Sequence, residues 1–379
     1  MKIPRRRSPE RKIRKVSLSC KFQIQTPNQT FSKHLPATME QDRRLPVMKE
    51  RTPDNKGEPM HGEMMAYPSV RSKPWTWFRQ EVLQPLLSSQ AAWFYAAIWL
   101  AAALYLIVRG HQNAVLNGAL FFFGTMLFCL FTVALTPHPP TPKESTIPAS
   151  RGRLRWQTGA TLIFIAITAY GGLAFHGLIS EQQAQIPLWS PLMQWLALMA
   201  ERHLTVSLIG SPGNSVVNPV SYFVLPLIVL VLLGARPRDL GMGPGHGTWR
   251  VLLIWCAIPV TLWIVQLTAG TLTLFFLARR LIGHALQNGF FEEFLFRGAL
   301  QTRLSLQLSP AWALVLQALI FGVWHLGLGI SSMGGDLWAG LASTIVSQSV
   351  FGLVAGILFW RTRNLVACSV VHVVLNSLG

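Results

Sequence analysis

The chain has 379 residues, 51% of them hydrophobic and only 13% charged, with 14 Trp and 21 Phe. Soluble domains carry about 25% charged residues, so this composition excludes an ordinary water-soluble globule and leaves lipid as the missing surface. The formal net charge of +18 is uneven, because +11 of it lies in the first 80 residues, before any long apolar run.

The chain opens with segments such as "PRRRSPERKIRK", which have no apolar face. Residues 1–80 therefore read as a disordered basic cytoplasmic tail. They also lack the apolar core of a signal peptide. The tail reads as a topology signal whose basic residues are attracted to anionic lipid headgroups; nucleic acid is not an expected partner. Met39, Met48, Met60, Met64 and Met65 all precede the first apolar run and leave the start codon open.

Seven windows then approach the roughly 20 apolar residues needed to cross a bilayer. They are Ala91–Val108, Val115–Leu135, Thr158–Leu178, Val220–Leu233, Val251–Leu277, Ala311–Gly329 and Leu337–Trp360. Two weaker ones, around Ala285–Leu304 and Leu365–Leu378, bring the expectation to about eight or nine spans in an all-α polytopic membrane bundle. Residues 81–215 form its N-terminal transmembrane helices and residues 216–379 its C-terminal core. Between the third and fourth windows, "SPLMQWLALMAERH" has an apolar stripe ending in charge and reads as an interfacial amphipathic helix. Cys129, Cys256 and Cys368 sit in apolar windows and Cys20 in the tail, without ligand spacing, so all four read as packing residues. If the tail is cytoplasmic, alternate crossing puts most Arg and Lys clusters on the cytoplasmic side, with Arg279 and Arg280 as the exception.

Only eight acidic residues follow position 80, and two are adjacent at Glu292 and Glu293, inside "NGFFEEFLFRGAL". Charge at bilayer depth costs at least about 2.5–3.5 kcal/mol, so such residues face a bundle interior or a wet cavity. On a helix the two carboxylates point about 100° apart, while Glu293 and Arg297 share a face and can pair. Glu292 is left without a partner at the favoured spacing, which makes it the candidate general base. Downstream, Phe321 and His325 stand one turn apart in "FGVWHLG", and His372 and Asn376 one turn apart in "HVVLN". Singly, each histidine is more often a satisfied core residue, the asparagine an interhelical glue and the Glu–Arg pair a structural bridge. Together they form a polar set that only a bundle interior could satisfy.

The order EExxxR, FxxxH, HxxxN resembles the CAAX prenyl protease type 2 family, including its bacterial CPBP or Abi branch of intramembrane proteases. The resemblance covers roughly residues 280–379, and "GLVAGILFWRTRNLVACSVVHVVLN" resembles the family's closing segment as a whole. It implies a membrane hydrolase, an endopeptidase cutting a peptide bond near the bilayer surface, with residues 216–379 as its CPBP-type protease core. By that likeness Glu292 with His325 activates water, and His372 with Asn376 stabilises the oxyanion. Glu293 and Arg297 hold the motif helix, and Phe321 packs beside the site. The expected substrate is a peptide or membrane protein, less surely a prenylated one, and the expected location is a bacterial inner membrane. No cofactor is expected; Glu292, His325 and His372 form the alternative set for a divalent metal such as Zn, although the HExxH arrangement is absent. The rival readings are a non-catalytic scaffold or immunity protein and a proton-coupled transporter. The charge count places the site toward the outer face, whereas the resemblance implies a site open to the cytosol.

Overall fold

The computed structural model describes residues 76, 78–136, 150–180, 182–204 and 211–378. The basic tail up to residue 75, with Cys20, lies outside them. Every regular element among the described residues is helical, as a bilayer requires of any chain that is not a closed barrel.

After a short helical lead-in, the first four helices are α1 (Gln90–Val108), α2 (Gln112–Leu135), α3 (Arg151–Phe175) and α4 (Trp189–His203). Then come α5 (Asn214–Leu232), α6 (Thr248–Thr268), a continuous helical run α7 over residues 274–305, α8 (Pro310–Trp324) and α9 (Leu326–Ser332). The chain closes with α10 (Leu337–Thr362) and α11 (Leu365–Asn376). Local chemistry sets the helix starts. Ser150 accepts from Arg153 N at the head of α3, and Ser309 caps α8 with Pro310 in its first turn. Asp336 caps α10 and Asn364 caps α11. The amphipathic stretch read from the sequence is α4, with Met193 and Ala200 buried.

Six described helices are long and apolar enough to cross a membrane, or seven if the bent pair α8–α9 counts as one span. This corrects the expected eight or nine. Ala285–Leu304 falls short because Glu292, Glu293, Arg297, Gln301 and Arg303 interrupt its hydropathy; the first half of α7 is partly exposed, but every residue from Phe294 to Gln301 is buried. Leu365–Asn376 has only 12 residues. The window Val251–Leu277 also divides: α6 stops at Thr268, Gly270 turns the chain at φ +71°, and Thr273 caps α7 by accepting from Phe276 N.

Helix α7 lies between α3, α5, α8, α10 and α11. Close approach to α11 depends on Gly289, where a Cβ would run into the Val373 side chain. Phe294, Phe296, Phe321, Phe351 and Leu358 belong to the principal core cluster around it. Cys129 and Cys368 are buried in that core as free thiols.

Candidate active site

Three local departures from regular helix deliver the polar residues. Within α7, residues 285–289 and 294–301 form π-helical turns on either side of the short α-helical turn Phe290–Glu293. Such widened turns shift the register of the helix beyond them and are frequent at functional sites. The second departure is at His325, where α8 and α9 meet at a bend of 51°. There the His325 N–H turns back to Gly322 O at 3.1 Å, and the ring Nδ1–H donates to Phe321 O at 2.9 Å. The side chain thus satisfies a carbonyl that the broken helix leaves over. Since that acceptor needs the hydrogen on Nδ1, the neutral ring keeps an unprotonated Nε2. The third is the interruption of α10 at Ser347, whose φ of −112° and ψ of −66° lie off the helical values.

Glu292 and Glu293 are both buried but differ in partners. Glu293 Oε1 accepts from Arg297 Nη1 at 3.1 Å and from His372 Nδ1 at 2.8 Å. Arg297 is held in turn by Gly352 O at 3.1 Å and lies 4.6 Å over the Phe321 ring. Gly352 O also accepts from Gln317 Nε2 at 2.8 Å, so α7 and α8 meet at one carbonyl of α10. Glu292 Oε2 has no hydrogen-bond partner among the described residues, and its nearest basic atom is His372 Nε2 at 3.9 Å.

The Glu293–His372 bond also fixes a tautomer. A carboxylate oxygen already accepting from a guanidinium accepts again, so the hydrogen resides on His372 Nδ1. The Nε2 facing Glu292 is then an acceptor when the ring is neutral and a donor when it carries a second proton. Phe351 packs edge-on against this ring at 4.5 Å between centroids, as Phe321 and Trp324 pack against His325 at 4.6 and 4.7 Å. The Trp324 Nε1–H is tied to Thr168 Oγ1 at 2.9 Å.

Glu292, His325, His372, Asn376 and Phe321 line one cavity of ≈ 870 Å³. Glu293 and Arg297 do not line it; they stand behind Glu292 and His372. Helices α3, α4 and α5 supply much of the remaining wall, with Tyr222, His176 and several side-chain amides among the lining residues. Sequence reasoning did not name Trp324, nor Phe351 and Tyr222, whose contacts with His372 and Trp324 are long-range and leave no periodic trace. It also passed over Asn288, one turn ahead of Glu292 in the same quoted stretch. Among the described residues no three His, Cys, Asp or Glu side chains are grouped so as to hold a metal ion, Glu292, His325 and His372 included.

The arrangement is chemically uneven. One carboxylate is anchored by a guanidinium and an imidazole, and the other faces His372 Nε2 in a cavity that His325 and Asn376 also line. Residues 274–378 match the model of the Rce1-like family, type II CAAX prenyl endopeptidases. No curated protein matches the chain, and no solved structure does. The matched stretch contains every residue of the EExxxR, FxxxH and HxxxN motifs, and the resemblance read from those motifs is borne out.

Proposed function

We propose, from a C-terminal stretch that belongs with the type II CAAX prenyl endopeptidases, that this integral membrane protein hydrolyses a peptide bond with water activated by Glu292. The family match supports a protease in general; the mechanism rests on the geometry of the cavity. Glu292 Oε2, buried, without a hydrogen-bond partner among the described residues and facing His372 Nε2, is the observation that carries the reading.

In the reaction Glu292 takes a proton from water while the resulting hydroxide attacks the substrate carbonyl carbon. His325 Nε2, its Nδ1 committed to Phe321 O, accepts a hydrogen bond from the same water and aims it. The carbonyl π electrons move to oxygen, and the oxyanion is met by Asn376 Nδ2 and by His372 Nε2–H in the doubly protonated ring that Glu293 balances. Collapse of the intermediate breaks the C–N bond, and the amine leaves with the proton held by Glu292. Glu293 and Arg297 are positioning residues, and Phe321 and Phe351 hold the rings. The substrate is a membrane-associated peptide or protein, with prenylation not required by any group in the cavity. A bacterial inner membrane is the proposed location, and the basic tail, outside the described residues, is proposed to bind anionic headgroups.

No step needs a metal. The test is cleavage of quenched-fluorescence peptides by the purified full chain in micelles. Glu292→Gln is expected to lower kcat by about 10²–10⁴-fold, and Asn376→Ala by about 10²–10³-fold, with unfolding temperatures near that of the parent. Chelation is expected to leave turnover unchanged. Loss on chelation with recovery on one equivalent of a divalent metal would replace this mechanism, and full turnover by well-folded Glu292→Gln would end it.

A further inference from the structure

The wall of the cavity also carries a pair of carboxamides that the chemistry above does not use. Asn218, on α5, and Asn288, on α7, both line the cavity, and Asn218 Nδ2 donates to Asn288 Oδ1 at 3.4 Å. One residue earlier on α7, Gln287 Nε2 donates to Ser215 Oγ at 2.9 Å, which fixes the two helices against each other at this level. Asn288 precedes Glu292 by one turn.

A 3.4 Å contact is at the weak end for such a bond, and side-chain bonds between membrane helices average only about 0.6 kcal/mol. The shorter Gln287–Ser215 bond already ties the helices, so gluing them is a poor account of the second pair. More telling is what the pair leaves over. Neither asparagine makes another side-chain hydrogen bond among the described residues, so the pair leaves one acceptor, Asn218 Oδ1, and one donor, Asn288 Nδ2, on the cavity wall. One acceptor and one donor complement a peptide main chain, whose N–H and C=O are paired at a sheet edge. An isoprenoid chain offers neither group. A helical substrate has both satisfied internally.

We propose that the Asn218–Asn288 pair is a subsite for the main chain of an extended substrate, binding one N–H and one C=O close to the bond that is cut. It rests on the peptidase reading above and adds a substrate class: a locally unwound backbone segment, chosen by conformation more than by side chains. Asn218 lies outside the stretch that matches the family, so the subsite joins the N-terminal helices to the reacting groups.

The test uses the full chain in micelles and a quenched-fluorescence library of apolar peptides, from which the best-cleaved member is remade with a single N-methyl group at each amide in turn. One amide away from the scissile bond should be sensitive, its methylation lowering kcat/KM by about 3- to 10-fold, the scale of one neutral hydrogen bond. Asn218→Leu should cost about as much with the parent peptide and add nothing with the methylated one. Asn218→Ser replaces it if the leucine variant fails to fold by thermal unfolding. Penalties that simply multiply in the variant, or no sensitive amide, overturn the subsite while leaving the peptidase intact. Absence of any cleavage that Glu292→Gln abolishes overturns both.

Discussion

Adjacent carboxylates can be held in one apolar helix because each is handled differently. Glu293 is bound by Arg297 and His372, while Glu292 lines the cavity and its Oε2 has no hydrogen-bond partner among the described residues. Breaking a buried, hydrogen-bonded ion pair from one side leaves a charge uncompensated and typically costs about 3–5 kcal/mol. Arg297→Met is therefore expected to destabilise the protein by about that amount, read from denaturant unfolding in micelles, and parent-like stability would show that the pair contributes little. The i, i+4 spacing of Glu293 and Arg297 was legible in the sequence, as were the FxxxH and HxxxN turns, because helical periodicity converts spacing directly into a shared face. The His372–Glu293 bond was not, since it joins residues 79 positions apart. Its consequence revises the role expected for His372: a ring whose Nδ1–H is committed to Glu293 serves an oxyanion from Nε2 only as the doubly protonated form.

At the scale of elements, hydropathy found the long apolar helices and missed their breaks. Ala311–Gly329 read as one span because composition does not change through His325, whereas the bend comes from a side chain taking the Phe321 carbonyl. The π-helical turns around Glu292 are equally silent, since "FFEEFLF" fits either winding. Caps are more legible and more testable. Asp336 Oδ1 accepts from Trp338 N and Ala339 N at the head of α10, and its Oδ2 pairs with Arg109 Nη2 at 2.6 Å. These partners, the Ala339 N–H foremost and Arg109 adding to it, hold the Asp336 carboxyl below its ordinary value of 3.8. A depressed folded-state value contributes stability above the unfolded value and loses it as pH falls through the folded one. Asp336→Asn, which keeps a capping oxygen but no charge, is expected to unfold at lower temperature than the parent near neutral pH. That gap should close below about pH 3.8; a gap independent of pH would remove the charge from the account.

The whole molecule sets a cavity with ionisable and amide groups on its wall inside an apolar bundle, and the two environments should answer differently to a charged reagent. In a background without the four native cysteines, Asn214→Cys, on the cavity wall, is expected to react with a membrane-impermeant maleimide, in sealed vesicles from one side only. Restored singly to that background, Cys129 and Cys368, packed in the core, should stay unlabelled until the protein is denatured. Equal labelling of all three would mean the core is as wet as the cavity. Composition made the membrane class legible, because 13% charge cannot cover a soluble surface. The N-terminal part of the cavity wall was illegible: Asn218, His176 and Tyr222 come from helices with no motif of their own, and only the packing of α3 and α5 beside α7 brings them to the site.

The division of labour between the two carboxylates is the claim on which the rest stands, and its most direct test is to compare Glu292→Gln with Glu293→Gln in one assay of turnover and thermal unfolding. The account predicts that Glu292→Gln folds like the parent and does not turn over, while Glu293→Gln loses stability and retains measurable cleavage. A stable, inactive Glu293→Gln beside a Glu292→Gln that keeps most of its turnover would contradict it.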